Sequence, residues 1–256
     1  MKQYKAIFID WDDTIGDFHG AAELALYEMY DKYNLASYFA SPEEFVSLYK
    51  PHNLELWDNY GKGLVTKDYL SIDRFLFPLM HGSHYKDEDA IRGGKKVKTE
   101  EVVRLAITMS EDFLSLTTAH FSLLPGAKDI VCYLAKKYPL TIVTNGFVEV
   151  QYEKFDKSGL RDCFSHIVLS EEVGCQKPNP QIFEEALRMN GISAEEAVMI
   201  GDSWNSDIQG AINAGIDQIW VTGKMQDENG KVIDSNGREL SATYIVKTLS
   251  EIAEIL

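Results

Sequence analysis

The sequence predicts an α/β fold: a parallel sheet with helices on both faces, interrupted after its first strand by an all-helical insertion. Three observations predict it. Ala6–Ile9 is a short apolar run that ends in acids, the pattern of a strand buried on both faces. A long helical stretch follows, from about Gly20 to Leu116. Beyond Leu124-Pro125-Gly126, short apolar runs and helical patterns alternate, as parallel βαβ units require.

The alternating part places strands at 140–144, 166–169, 197–200 and 218–221, with helices at about 127–137, 148–158, 180–190 and 206–214. In the insertion, Ser41-Pro42-Glu43-Glu44 marks a helix start: an N-cap serine, proline at the first helical position and a capping-box glutamate. Thr99 is expected to cap a helix carrying Val102, Leu105, Ala106, Met109, Phe113 and Leu116 on one side. Between these helices, residues 81–98 with Gly93-Gly94-Lys95-Lys96 read as a mobile loop. Glu228-Asn229-Gly230-Lys231 resembles a hairpin turn, and a strand at 243–246 and a short helix to Leu256 close the chain. The expected division is residues 1–15 with 122–256 as the α/β core, and 16–121 as the helical insertion.

With 256 residues, 45 % of them hydrophobic, the chain can bury a sizeable core. Its 40 acidic and 25 basic residues give a net charge of −15, which repels polymeric nucleic acid. A small phosphorylated molecule is still admissible, because a bound cation reverses the sign locally. Cys132, Cys163 and Cys175 fit neither a CxxC pair nor a metal spacing, so a reduced cytoplasm is the simplest setting. Met1-Lys2-Gln3-Tyr4-Lys5 does not open a signal peptide. No apolar run of membrane-spanning length occurs, and no membrane partner is expected.

Ligands of open parallel sheets bind beyond the carboxyl ends of the strands. There the chemistry-bearing residues gather: Asp10, Asp12 and Thr14 after the first strand, Thr144-Asn145-Gly146 after the second, Lys177 before a helix, and Gly201-Asp202 with Asp207 after the fourth. Each has a bland alternative. Acids at strand ends cap helices or form turns, Asp207 could serve the positive end of its helix, and Lys177 could be a solvated loop residue. Together and in this order, chance explains them poorly.

These residues resemble the motifs of the haloacid dehalogenase-like hydrolases. DxDx[TV] corresponds to Asp10, Asp12 and Thr14, the second motif to Thr144, the third to Lys177, and GDxxxxD to Gly201, Asp202 and Asp207. The resemblance implies a Rossmann-like core with an inserted helical C1 cap. It implies Mg²⁺ held by the Asp10 and Asp202 carboxylates and the Asp12 backbone carbonyl. It makes Asp10 the nucleophile and Asp12 the acid and base. Thr144, the Asn145 amide and Lys177 would bind the phosphoryl group, and Asp207 would orient Lys177 or the metal's waters. The superfamily's dehalogenases need neither Mg²⁺ nor the second acid, so Asp12 favours phosphoryl transfer.

A closer resemblance is to bacterial nucleoside 5′-monophosphatases of that family. It rests on Ile142–Phe147, Ser170–Gly174 leading to Lys177-Pro178-Asn179, and Ser206–Ile208 through Gly215. In the insertion it rests on Asn53, Leu56, Trp57, Tyr60, Gly63, Thr66, Leu70, Arg74 and Phe75. The expected partner is therefore a small phosphorylated substrate, a nucleotide. Asn53, Trp57 and Arg74 are candidate substrate contacts. For Trp57 core packing is the simpler expectation, with base stacking the alternative. His81 and His84 read as loop residues rather than metal ligands. A sugar-phosphate phosphatase or phosphomutase is the competing enzyme reading, and a binding protein on an inactive scaffold the non-enzymatic one.

Overall fold

The computed structural model describes residues 2–85, 91–92, 95–96, 100–223, 232–233 and 237–256. Along the chain, β1 (Ala6–Ile9) precedes α1 (Phe18–Lys32), α2 (Pro42–Gly61), α3 (Lys67–His81), the short strands β2 (Ile91–Arg92) and β3 (Lys95–Lys96), and α4 (Glu100–Ala119). There follow α5 (Ala127–Leu134), β4 (Leu140–Thr144), α6 (Val148–Ser158), β5 (His166–Leu169), α7 (Ser170–Val173) and α8 (Pro180–Asn190). The chain ends with β6 (Ala197–Gly201), α9 (Gln209–Asn213), β7 (Asp217–Val221), β8 (Val232–Ile233), β9 (Glu239–Leu240) and β10 (Tyr244–Val246). Two compact units result, Met1–Asp17 with Ser122–Leu256, and Phe18–Phe121.

The first unit holds one six-stranded sheet in the order β10-β7-β6-β1-β4-β5. Every pairing in it is parallel. The chain runs outward from β1 through β4 to β5, then crosses back and runs the other way through β6, β7 and β10. The reversal makes the carboxyl ends of β4, β1 and β6 the topological switch point. These three strands are buried along their whole length, which explains why they read as unbroken apolar runs. Ile9 pairs with Ile142 on one side and Ile200 on the other. That register sets Asp10 level with Val143 and Gly201, one residue before Thr144 and Asp202 at the same sheet edge. Phe8, Val143, Met199, Phe183 and Ala211 pack one core cluster.

In the second unit, α1 packs on α4, α2 on α3 and α3 on α4. Aromatic rings meet within its largely aliphatic core: ring centroids lie 5.1 Å apart for Phe39 and Phe45, 5.2 Å for Tyr49 and Phe75, and 5.4 Å for Phe75 and Phe113. Ser41 caps α2 by accepting from Glu44 N at 3.3 Å. The expected reciprocal bond is absent from the described contacts. Glu44 instead accepts from Ala40 N at 2.5 Å and from Ser83 N at 2.7 Å. His81 Nδ1 meets Phe77 O at 2.7 Å and His84 Nδ1 meets Ala36 O at 3.0 Å, so both rings bind backbone carbonyls. Within the expected 81–98 loop, α3 reaches His81 and β2 pairs with β3. Gly93, Gly94, Lys98, Thr99 and the expected 228–231 turn lie outside the described residues. Among the described residues no helix is long and apolar enough to cross a membrane.

Candidate active site

The loop leaving β1 is a tight turn. Ile15 N and Gly16 N both donate to Trp11 O at 2.9 Å, and Asp13 N donates to Gly16 O at 2.7 Å. The turn needs a positive φ at Asp13, +64°, which a short polar side chain tolerates better than most. Trp11 anchors it, fully buried with its ring edge-on to Phe155 at 4.7 Å and near Phe164 at 6.1 Å. The rigid turn fixes where Asp10, Asp12 and Thr14 stand.

Lys177 is 2 % exposed. Its Nζ lies 2.5 Å from Asp10 Oδ1 and 2.7 Å from Asp207 Oδ1. Asp207 is itself fully buried, its Oδ2 accepting from Ser203 N at 3.0 Å and its Oδ1 from Ser206 Oγ at 3.2 Å. Gly201 makes room for it: a Cβ there would stand 2.4 Å from Asp207 Oδ2. Thr14 Oγ1 lies 3.2 Å from Asp10 Oδ2 and 3.0 Å from Asp202 Oδ1, and accepts from Asp202 N at 3.1 Å. Trp220 Nε1 donates to Asp202 O at 2.8 Å. Thr144 Oγ1 accepts from Gly146 N at 3.1 Å and Gln151 Nε2 at 2.9 Å, so its acceptor capacity is used and its hydroxyl hydrogen is the group left to offer.

Asp10, Asp202 and Asp207 can bring ligand oxygens within 4.8 Å of one another, against the single ammonium of Lys177. Burial, then Asp207 and Asp202, push the Asp10 carboxyl well above its ordinary range, although Lys177 opposes them. Burial, then the Asp207 and Asp13 charges, push Asp202 up to about 7. Burial alone would lower Lys177, but Asp10 and Asp207 hold it above its ordinary value. Three carboxylates and one ammonium leave two negative charges when all are ionised. A divalent cation with oxygen ligands removes that excess, and the donor set fits Mg²⁺.

Asp12 has its own surroundings. Lys154 Nζ lies 2.9 Å from Asp12 Oδ1, and Gln151 Nε2 lies 2.9 Å from Asp12 Oδ2. Reading the sequence missed both residues. The usable signal was that they occupy the inward stripe of α6, between buried Val150 and Phe155. The Asn145 side chain is committed to the Lys177 backbone, accepting from Lys177 N at 2.8 Å and donating to Lys177 O at 2.9 Å, which leaves the backbone amide of Asn145 as its group for a phosphoryl oxygen. In the insertion, Asn53 is half-buried, with its Oδ1 unpartnered among the described residues. Trp57 is half-buried and absent from the buried core, contrary to the simpler expectation, and sits edge-on to Tyr60 at 5.8 Å. Arg74 is 1 % exposed, its guanidinium 4.8 Å from the Phe113 ring and 5.4 Å from Phe75.

Residues 4–215 match the model of the haloacid dehalogenase-like hydrolases. The chain belongs to that family. It is 30 % identical to the HAD-hydrolase YfnB of Bacillus subtilis, over all of this chain and 97 % of the relative. The magnesium-bound crystal structure of YfnB superposes with a TM-score of 0.81 at 29 % identity, covering 100 % of this chain and 99 % of that one. A glyceraldehyde 3-phosphate phosphatase of Methanothermobacter thermautotrophicus is 30 % identical over 98 % of this chain and 99 % of its own. The pyrimidine 5′-nucleotidase YjjG of Escherichia coli is 28 % identical over 98 % and 96 %.

Proposed function

We propose that this family member is a Mg²⁺-dependent phosphomonoester hydrolase working through an aspartyl-phosphate on Asp10, with a nucleoside 5′-monophosphate as its substrate. The observation that carries the reading is the pair of differently held acids on one turn, Asp10 on Lys177 and Asp12 on Lys154. A carbon–halogen hydrolase needs only the first.

Mg²⁺, held by the Asp10 and Asp202 carboxylates and the Asp12 carbonyl, would supply the positive charge that lets a phosphate dianion approach a carboxylate. Lys177 shares that task at the Asp10 side. The Thr144 hydroxyl and the Asn145 backbone N–H bind phosphoryl oxygens. Asp10 forms the new O–P bond as the ester O–P bond breaks, and Asp12 gives its proton to the leaving alkoxide. Asp12 then takes a proton from the water that attacks phosphorus. Phosphate leaves and both acids return to their starting states. Asp207 holds the Lys177 ammonium. Asn53, Trp57 and Arg74 discriminate among leaving groups, an assignment that rests on the insertion's likeness to the nucleotidases.

A second reading, triose- or sugar-phosphate hydrolysis, is favoured by the glyceraldehyde 3-phosphate phosphatase relative. One screen separates them: phosphate release from pyrimidine and purine 5′-monophosphates, glyceraldehyde 3-phosphate and p-nitrophenyl phosphate, with and without Mg²⁺, for the wild type and Asp10→Asn. Mg²⁺-dependent release that Asp10→Asn abolishes supports the mechanism. A triose phosphate outrunning every nucleotide moves the substrate to the second reading. No release from any ester sinks both and leaves a binding protein.

A further inference from the structure

We propose that Lys154 and Gln151 are positioning residues that hold the Asp12 carboxylate by its two oxygens from one face of α6. The inference rests on the phosphohydrolase reading and adds to it a pair that none of the family's motifs contains.

Lys154 and Gln151 are three residues apart, so they share a helix face. Each takes a different oxygen of Asp12: Lys154 Nζ is 2.9 Å from Oδ1, and Gln151 Nε2 is 2.9 Å from Oδ2. The same Gln151 Nε2 lies 2.9 Å from Thr144 Oγ1. One amide therefore ties the acid of the first motif to the hydroxyl of the second. The loop after β4 closes on this amide, since a Cβ at Gly146 would stand 1.8 Å from Gln151 Nε2.

Stability does not account for the arrangement. The Lys154 side chain is 4 % exposed and Gln151 is fully buried, on a helix stripe that apolar side chains would otherwise fill. A buried ion pair is worth little more than well-packed apolar residues of the same volume. Gln151 also leaves its own Oε1 buried with no partner among the described residues, a cost of about 1–3 kcal/mol. What the pair secures is orientation. A half-buried carboxylate with no donor to hold it has several rotamers, and with a donor on each oxygen Asp12 has one. Each Asp12 oxygen keeps a second lone pair, where the proton sits, and transfer needs that fixed placement because the protonated oxygen and the leaving-group oxygen must come within hydrogen-bond reach.

The test is the dependence of rate on the leaving group. Dinitrophenolate leaves without a proton, whereas an alkoxide needs one. Lys154→Met and Gln151→Met, each checked for folding by circular dichroism and thermal denaturation, are assayed with Mg²⁺ on 2,4-dinitrophenyl phosphate and on the best alkyl phosphate. A misplaced Asp12 should cut kcat/KM for the alkyl ester by at least about 30-fold more than for the aryl ester, within the range of general acid catalysis. Lys154→Arg should restore most of the alkyl activity. A crystal structure of Lys154→Met should show the Asp12 carboxylate turned from its wild-type rotamer. Equal losses on the two esters, or an unmoved Asp12, would overturn the proposal while leaving the phosphohydrolase reading intact. A wild type inactive on both esters would overturn the two together. If one variant does not fold, the other tests the same carboxylate from its second oxygen.

Discussion

Asn145 hydrogen-bonds both backbone groups of Lys177, at 2.8 Å and 2.9 Å. The turn after β4 is thereby fastened to the segment that carries the buried ammonium, and the second and third motifs become one mechanical unit. Asn145→Ala removes two neutral hydrogen bonds, each worth about 0.5–1.5 kcal/mol. If that loss falls on Lys177 placement, kcat/KM should drop by about 10- to 100-fold with Mg²⁺ half-saturation little changed. Asn145→Asp keeps the acceptor for Lys177 N and should lose less. A variant with wild-type kcat/KM would show that Lys177 holds its place without this clamp.

Gly201 predicts a second coupling. Asp207 is tied by Lys177, Ser203 and Ser206, so it cannot retreat from a methyl group placed 2.4 Å from its Oδ2. Gly201→Ala should cost about 1–3 kcal/mol, as overpacking in a filled core does, and should displace Asp207 from Lys177. Denaturant titration measures the first effect. A stability within error of the wild type would mean that the strand shifts freely at its end.

The strands were legible in the sequence because the sheet is covered on both faces, so buried strands such as Ala197–Gly201 read as apolar runs. The acids and Lys177 were legible because residue type and spacing carry the chemistry. Gln151 and Lys154 were legible only as polar residues on the inward stripe of α6, since a glutamine and a lysine in a helix are otherwise ordinary. What makes them unusual is a partner 139 and 142 positions away in the chain. The capping box at Ser41 failed for the same reason. Ser83, 39 positions beyond Glu44, supplies donors that take the Glu44 carboxylate away from its local role. The single-turn helix Ser170–Val173 is too short to show a period.

The raised carboxyl of Asp202 fixes the sign of a pH effect. Its folded value of about 7 stands above the ordinary 3.8 because of burial and then the Asp207 and Asp13 charges. In the metal-free protein, the folded state therefore binds more protons than the unfolded one between those values. Stability from this group is fully present below the lower value and is lost as pH rises through about 7. Asp10, raised by burial first, acts in the same direction. Mg²⁺ needs the ionised carboxylates, so its stabilising effect should grow as pH rises. Thermal denaturation at pH 5.5 and pH 8, with and without Mg²⁺, checks this. An Mg²⁺-induced shift larger at pH 5.5 would reverse the sign and put the metal elsewhere.

Arg74 separates substrate discrimination from stability in the helical unit. It is buried, and among the described residues neither its Nε and Nη2 nor the Tyr49 hydroxyl makes a hydrogen bond of normal geometry, although Tyr49 stands near enough to favour the charged guanidinium. Burial holds its guanidinium below the ordinary arginine value, with Tyr49 opposing. The favourable side is cation–π contact with Phe113 and Phe75, about 2 kcal/mol when desolvated. Against it stand unsatisfied donors at about 1–3 kcal/mol each. A methionine fills similar volume and leaves nothing polar behind, so Arg74→Met should be neutral or stabilising in denaturant titration. On the proposed role, the same variant should lower the ratio of kcat/KM for the best nucleotide to that for p-nitrophenyl phosphate. A stability gain with an unchanged ratio would remove Arg74 from substrate discrimination. A stability loss above about 3 kcal/mol, the scale of a broken buried charge network, would make it a structural residue held by its rings.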